Sequence, residues 1–246
     1  MKTKKLLATL SVAMLIGSGR LHAEDVSTTL SRADIEKIVR EYILQHPEVL
    51  MESVRANQAR ERVEAQNRSK DAVAANRREL FDDAGSPAAG TGAAEVTIVQ
   101  FFDYKCGYCR RVSPVVSKLL DTHKNVRMIF KEFPILGQES QVAARAALAA
   151  AKQGAYVPFH EELLNWNGPI TPASVEDIGR KLGMDVAQLK ADMSSKDVDA
   201  ELIQNRQLAN AIGVQSTPSF VIGGELISGA MDLTGFEEVI SKKANR

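Results

Sequence analysis

Two cysteines stand two residues apart near the middle of the chain, and they are its only cysteines, Cys106 and Cys109. They follow the apolar run 96–102, which is typical of a buried strand, and they precede residues with helical spacing. A helix that begins at the first cysteine directs unpaired N–H groups and the positive end of its dipole at that sulfur. Because the thiolate is the reactive form, we expect Cys106 to be the nucleophile and Cys109 to attack the resulting mixed disulfide.

Other functions of a Cys-x-x-Cys pair are weighed against thiol exchange. A zinc site needs two further ligands, and the four histidines form no paired spacing, which argues against zinc: His22, His46, His123 and His160. An inert bridge is disfavoured because closing so small a loop removes little chain entropy. Capture of Cu(I) by Cys106 and Cys109 stays as an alternative, although no Met-rich or His-rich tract accompanies them. We expect no cofactor and no other metal.

Residues 1–23 have the composition of a secretory signal peptide. Three lysines among the first five residues precede an apolar run over residues 6–16, and the small residue Ala23 stands before an acidic pair. The run is too short for an ordinary transmembrane helix, but the bulky Leu21 leaves retention as an N-terminal anchor as an alternative. We therefore predict export to the periplasm. In an oxidising compartment, a single close cysteine pair is better suited to exchange than to stapling a fold.

The next part of the chain, residues 24–81, predicts an N-terminal helical segment. Ser31 and Asp34 resemble a capping box, and apolar residues then recur at three- and four-residue spacing to about His46. Pro47 suits the first turn of a second helix, which becomes almost entirely polar after residue 59. So polar a helix is typical of a solvated stalk or an oligomer seam. Residues 82–94, rich in Gly, Ala and Pro, predict a flexible linker and a domain boundary.

Alternating elements over residues 95–246 predict an α/β catalytic domain. Strands at 96–102 and 126–133 flank a helix at 109–122, which makes a βαβ unit around the cysteine pair. Only helical patterns occur over about 138–210, so we expect a helical insertion there. The remaining predicted elements are helices at 142–152, 157–164, 173–182 with Thr171 or Ser174 as cap, 187–193 and 198–212 ending at Gly213, a hairpin of 220–222 and 225–228, and a closing helix at 233–243.

A second motif, Ser-Thr-Pro-Ser-Phe at residues 216–220, places a proline directly before a strand. Together with Phe-Phe-Asp-Tyr-Lys-Cys-Gly-Tyr-Cys at residues 101–109, it resembles the thioredoxin superfamily, and within it the DsbA-like exported thiol-disulfide oxidoreductases. The resemblance implies a thioredoxin fold with an inserted helical domain, and a cis Thr217–Pro218 bond packed beside Cys106. It implies Cys106, Cys109, Thr217 and Pro218 as the catalytic residues. Such a proline presents backbone for pairing with a substrate strand and lacks a competing N–H.

Several residues around the cysteine pair and in the N-terminal segment bear on the direction of electron flow. Residues 38–50 resemble the N-terminal segment of the ScsC group of copper-tolerance proteins, some of which oligomerise through it. Strongly oxidising DsbA usually has histidine where this chain has Tyr108, and an acidic residue at the position of Gln100, whereas Gly107, Tyr108 and Thr217 resemble the isomerase DsbC. A less stabilised thiolate makes a less oxidising couple. We therefore expect a disulfide isomerase or reductase, with a disulfide-donating oxidase or a Cu(I)-sequestering protein as alternatives.

The net charge of the chain and its resemblance to DsbA-like proteins indicate which binding partners to expect. The chain carries 31 basic and 31 acidic residues, a formal net charge of +0, so nothing favours nucleic acid or an anionic membrane. We expect exported substrate proteins with disulfides or thiols, a membrane redox partner that reduces or oxidises the cysteine pair, and a homo-oligomer formed through the N-terminal helices.

The remaining polar residues are given structural or minor roles. Lys131 and Glu132 on the second strand are expected either to relay protons to Cys109 or to form an edge or solvated ion pair. His160 and Trp166 are expected to pack. Tyr104 and Tyr108 are expected to line a peptide groove or to pack. A further set is expected to add positive charge near the nucleophile: Lys105, Arg110 and Arg111.

Overall fold

The computed structural model describes residues 30–91 and 94–244. The signal peptide predicted for residues 1–23 lies outside the described residues. Within these ranges, no helix has both the length and the apolar character that a membrane span requires. The elements in chain order are α1 (Arg32–Gln45), α2 (Pro47–Ala75), α3 (Arg77–Phe81), β1 (Ala88–Gly90), β2 (Val96–Phe102), α4 (Gly107–Thr122), β3 (Val126–Glu132), α5 (Gln138–Lys152), α6 (Tyr156–Asn165), α7 (Pro172–Lys181), α8 (Val186–Met193), α9 (Lys196–Ile212), β4 (Ser219–Ile222), β5 (Glu225–Ser228) and α10 (Leu233–Ala244).

The structure divides into two compact units, one ending at residue 56 and one beginning at residue 57. In the first unit, α1 begins with the predicted capping box. The Ser31 hydroxyl accepts from the backbone N–H of Asp34, and the Asp34 carboxylate accepts from the backbone N–H of Ser31. No residue of α1 is buried. Its apolar side chains, including Ile38, Val39 and Tyr42, are exposed in the single chain.

The second unit is built on a five-stranded sheet in the order β1-β3-β2-β4-β5. The two central strands, β2 and β3, are parallel and are joined through α4, whereas every other neighbouring pair is antiparallel. Both strands are buried along almost their whole length because they are covered on both faces. This confirms the predicted βαβ unit. The helices α5 to α9 lie between β3 and β4 in the chain and form the predicted helical insertion.

Side-chain alternation along β2 and β3 separates two cores. Ile98 and Phe102 point to the face that carries both cysteines, α4, α6 and α10. Val99 and Phe101 point to the other face, where they pack with the end of α9 and with residues of α2 and α3. The sheet therefore holds the end of β2, where the cysteine pair begins, between two packed layers.

The segment expected to be a flexible linker differs from that prediction. Its residues 88–90 form strand β1, which pairs with β3 at the edge of the sheet. Asp83 forms an ion pair with the buried Lys131, and Ser86 donates to Glu201 at 2.6 Å. The three-residue strand Ala-Ala-Gly contains no β-branched or aromatic residue, so its sequence carries no strand signal. Tertiary pairing alone makes it a strand.

The polar tail of α2 also differs from the solvated stalk or oligomer seam that its composition indicates. Val73 is buried, and the Ser69 hydroxyl donates to the carbonyl of Ile212 at the end of α9. Leu80 in α3 is fully buried in the same core. Residues from about 65 to 81 are therefore part of the second unit, and the boundary between units lies well before residues 82–94.

The local stop signals are found close to their predicted places. Thr171, rather than Ser174, is the N-cap of α7, and Ser174 completes a reciprocal capping box with it. Gly213 ends α9 in the left-handed region at a φ of 86°, where a side chain is unfavourable. Two short runs, β4 and β5, pair as the predicted hairpin across Gly223 and Gly224, both of which have positive φ.

Candidate active site

The strand β2, a tight turn and the helix α4 together position the two cysteines. The backbone N–H of Cys106 donates to the carbonyl of Asp103 at 3.1 Å, which closes the turn. Cys106 is the N-cap of α4, and its carbonyl accepts from the N–H of Arg110. Its sulfur therefore stands at the positive end of the helix, where negative charge is favoured. Both cysteines are unbridged thiols.

The two sulfurs differ in burial, as their assigned roles require. Cys106 is 7% exposed, whereas Cys109 is 1% exposed and is covered by its own helix. Burial is the main cause that raises the pKa of Cys109 far above its usual range, and a backbone hydrogen bond with Asp103 only partly opposes it. Cys109 is thus held as a neutral thiol, and Cys106 is the more accessible of the two sulfurs.

The loop before β4 lies against the nucleophile. The peptide bond between Thr217 and Pro218 is cis. The thiol of Cys106 donates to the carbonyl of Thr217 at 3.1 Å, across 111 positions in the sequence. The carbonyl of Pro218 accepts from the N–H of Gly229 at 2.9 Å, which fixes the loop to the chain after β5. All four predicted site residues therefore come together: Cys106, Cys109, Thr217 and Pro218.

Three cations expected near the nucleophile are engaged elsewhere. Lys105 pairs with Glu139 at 2.9 Å, and Arg111 lies over the ring of Tyr108, 4.2 Å from its centroid. Arg110 donates to the carbonyls of Leu164 and Trp166 at the end of α6. Lys105 and Arg110 therefore fasten the start of α4 to the helical insertion, whereas Arg111 contacts a residue of α4 itself.

The prediction that Lys131 and Glu132 form an edge or solvated ion pair is wrong. Both side chains are buried and, as neighbours on a strand, they point to opposite faces of the sheet. Lys131 binds Asp83. Burial raises the pKa of Asp83, but the hydrogen bond and the charge of Lys131 contribute to a net pKa below its usual value. A proton relay from Glu132 to Cys109 stays a prediction.

Glu132 belongs to a buried polar cluster that includes His160, for which the sequence suggested packing alone. Its Oε1 atom accepts from the hydroxyls of Tyr104 at 3.0 Å and Tyr156 at 2.8 Å. Nδ1 of His160 is hydrogen-bonded to the Tyr104 hydroxyl at 2.9 Å. Burial raises the pKa of Glu132 well above its usual value and lowers that of His160 to about 3. His160 is therefore neutral, and its ring packs against Phe102 as well.

The two tyrosines of the active-site segment have different surroundings. Tyr104 is buried in the cluster, so it packs and does not line a groove. Tyr108 is 59% exposed beside Cys106 and remains available to a substrate. Trp166 ends α6, and its indole N–H donates to the carbonyl of Pro169. Within residues 30–91 and 94–244, no cluster of three or more His, Cys, Asp or Glu side chains could hold a metal ion.

Sequence reasoning missed the role of Asp103. Its carboxylate is buried directly before the cysteine pair and accepts four hydrogen bonds. Its position within the motif could have indicated a role, because an aspartate two residues before a backbone N–H often forms such a turn. The three partners that follow β3, two in the loop and Ser140 in α5, have no signal in the sequence.

Comparison with known proteins identifies the two parts of the chain separately. Residues 97–241 match the family of the DSBA-like thioredoxin domain, and residues 32–64 match the copper resistance protein ScsC N-terminal domain. A thioredoxin-like oxidoreductase from Silicibacter pomeroyi is 40% identical, with a TM-score of 0.67, over 70% of this chain and 99% of that one. A linker-deletion variant of Proteus mirabilis ScsC is 26% identical, with a TM-score of 0.67, over 89% of this chain and 99% of that one.

A relative of a different kind is the Na(+)/H(+) antiporter NhaA 1 of Salinispora arenicola. It is 27% identical over 154 residues, which are 62% of this chain but only 24% of the antiporter. The chain thus spans about a quarter of that relative's length. The family match covers more than half of the chain and includes both cysteines and the cis-proline loop. The chain belongs to the DsbA-like thioredoxin family and carries an N-terminal domain of the ScsC type.

Proposed function

We propose that the protein is a periplasmic thiol-disulfide oxidoreductase that isomerises or reduces disulfides of exported proteins. The observation that carries this proposal is the contact of the Cys106 thiol, at the start of α4, with the carbonyl of Thr217 in the cis-proline loop. A substrate that pairs with this loop would bring its disulfide next to the more exposed sulfur, while the buried Cys109 waits beneath.

The chemistry is a pair of exchange reactions. The thiolate of Cys106 attacks one sulfur of a substrate disulfide, forms a mixed disulfide and releases the other substrate sulfur as a thiolate. In isomerisation, a substrate thiolate attacks the mixed disulfide and frees Cys106, so no net electrons move. In reduction, Cys109 loses its proton and attacks Cys106, and the substrate leaves with two electrons while the Cys106–Cys109 disulfide forms.

The surroundings of Tyr108 support isomerisation or reduction over disulfide donation. A residue that donates a hydrogen bond to the thiolate makes the reduced form more stable and the couple more oxidising. Tyr108 occupies this position between the cysteines, but its ring is exposed and lies under Arg111. The couple is therefore expected to be less oxidising than one with a histidine at this place.

Oligomerisation through the first unit is part of the proposal. Its helix α1 leaves an apolar face uncovered, and a second copy of the chain would bury that face. The match of residues 32–64 to the ScsC N-terminal domain supports this role. Several catalytic domains could then act on one misfolded client.

Two measurements test the catalytic part of the proposal. The reduced protein is expected to restore activity to scrambled ribonuclease, whereas rapid oxidation of a reduced peptide without any recovery would instead identify an oxidase. Cys109→Ser is expected to accumulate mixed disulfides with clients. The control is the double variant Cys106→Ser/Cys109→Ser, which should trap none. If the single variant traps none either, the assigned order of attack is wrong.

Light scattering tests the oligomer. Val39→Asp places a charge in the apolar face of α1 and is expected to reduce the mass to that of one chain. Lys37→Asp, on the opposite side of the same helix, is the control and should leave the mass unchanged. A point variant is preferable to removing residues 1–94, because Val73 and Leu80 belong to the core of the second unit. A wild-type protein with the mass of one chain would refute this part of the proposal.

A further inference from the structure

Asp103 is a buried acid whose side chain accepts four hydrogen bonds. It is 1% exposed and follows directly after β2. Its Oδ1 atom accepts from the N–H of Lys105 and the hydroxyl of Ser140, both at 2.7 Å. Its Oδ2 atom accepts from the N–H groups of Ile135 at 2.8 Å and Leu136 at 3.0 Å. One carboxyl group therefore joins the active-site turn to the loop after β3 and to the first turn of α5.

The backbone of Asp103 contacts both cysteines. Its carbonyl accepts from the N–H of Cys106 at 3.1 Å, and its backbone is hydrogen-bonded to the thiol of Cys109. The residue thus contacts both reacting residues. A rotation of Asp103 would disturb both contacts, and the four hydrogen bonds of its side chain oppose that rotation.

We propose that Asp103 is a positioning residue that holds the sulfurs of Cys106 and Cys109 in the geometry in which their disulfide closes. The proposal rests on the thiol-disulfide exchange of the proposed function. The closing step breaks the S–S bond between Cys106 and a bound partner, forms the Cys106–Cys109 bond, and releases the partner as a thiolate with the proton of Cys109 passing to solvent. Restricting the two sulfurs to a reactive arrangement raises their effective concentration for this step.

The substitution that tests the proposal most sharply is Asp103→Asn. An amide has one acceptor oxygen, so it can keep the bonds to Ile135 and Leu136 while its NH₂ group faces the N–H of Lys105. The N–H of Lys105, in the turn before Cys106, then loses its side-chain acceptor, although the fold keeps its other contacts. Asp121→Asn, the same chemical change at an exposed position of α4, is the matched control.

The measurement is the equilibrium between the glutathione mixed disulfide at Cys106 and the closed Cys106–Cys109 disulfide. Cys106 is bonded on both sides of this equilibrium and Cys109 is held as a neutral thiol, so Asp103→Asn acts on the equilibrium through the positions of the two sulfurs. We expect Asp103→Asn to favour closure about tenfold less, which equals a reduction potential about 30 mV less negative. The equilibrium constant for closure in Asp121→Asn should remain within about twofold of the wild-type value.

If a folded Asp103→Asn protein has an equilibrium constant for disulfide closure within twofold of the wild-type value, the proposal is overturned. A purely structural role would lower the unfolding temperature and leave this equilibrium constant unchanged. A second measurement needs no variant. The amides of Lys105, Ile135 and Leu136 should exchange slowly with solvent in both redox states, and exchange as fast as in an exposed loop would also overturn it. Glutathione replaces the protein client in both cases, so a failed ribonuclease assay would refute the isomerase function and leave this result intact.

Discussion

Replacing Glu132 by glutamine is expected to stabilise the protein at neutral pH. The carboxyl group is buried with two tyrosine hydroxyls as donors to Oε1, and its Oε2 atom has no hydrogen-bond partner. Lys131, its neighbour in sequence, points to the other face of the sheet and binds Asp83. Burial without a paired cation is the main reason that the pKa of Glu132 is raised well above 4.5.

The protonation of Glu132 determines how the stability of the wild type changes with pH. Between 4.5 and the raised pKa, the folded chain keeps a proton on Glu132 that the unfolded chain has released. The free energy of unfolding therefore falls as the pH rises through this range, by about 1.4 kcal/mol for each pH unit. Glutamine resembles the protonated acid in shape and still accepts from Tyr104 and Tyr156, so Glu132→Gln removes this loss.

Denaturant unfolding of both proteins at several pH values above 4.5 measures the effect. The stability advantage of Glu132→Gln should be small near pH 4.5 and should increase by about 1.4 kcal/mol per pH unit until the raised pKa is passed. Glu161→Gln, at an exposed position on the neighbouring helix α6, should change stability by less than about 0.5 kcal/mol at every pH. An advantage that does not depend on pH, or a less stable variant at neutral pH, would refute the reasoning.

Three further predictions test other parts of the structure. The pKa of His160 is lowered to about 3, so as the pH drops below about 6.5 the unfolded chain binds a proton on this residue that the folded chain does not. The stability of the wild type should therefore fall below this pH. His160→Gln should lessen the fall in acid-denaturation curves. Asp83→Ala leaves the fully buried Lys131 unpaired and should lower the free energy of unfolding in urea by about 3 kcal/mol. Lys131→Met should lower it by less, because no unpaired charge stays buried. Equal losses for the two variants would contradict a buried ion pair. Gly213→Ala should cost about 1 kcal/mol because of its positive φ, whereas Gly107→Ala, with open space around its Cβ position, should cost nothing measurable in thermal unfolding.

Local signals in the sequence determined much of the scaffold. The apolar run of residues 96–102 predicted β2 at its observed bounds, and the Ser31 capping box and the Gly213 stop were both found in place. Each of these features depends on residues within one or two turns of each other, so the sequence alone contains the necessary information. The pairing of Cys106 with the proline loop was predicted from resemblance, because no local pattern connects positions 111 residues apart.

Only the tertiary structure determined how the buried polar groups are arranged. Adjacent residues Lys131 and Glu132 suggested an ion pair, but strand alternation sends them to opposite cores with partners 24 to 48 residues away. Asp103 gains three of its four hydrogen bonds from residues more than 30 positions later, in the loop after β3 and in α5. A buried carboxylate must find its donors wherever the packed chain brings them. For this reason the sequence identified which residues could react, whereas the assembled sheet and helices determine how those residues are held.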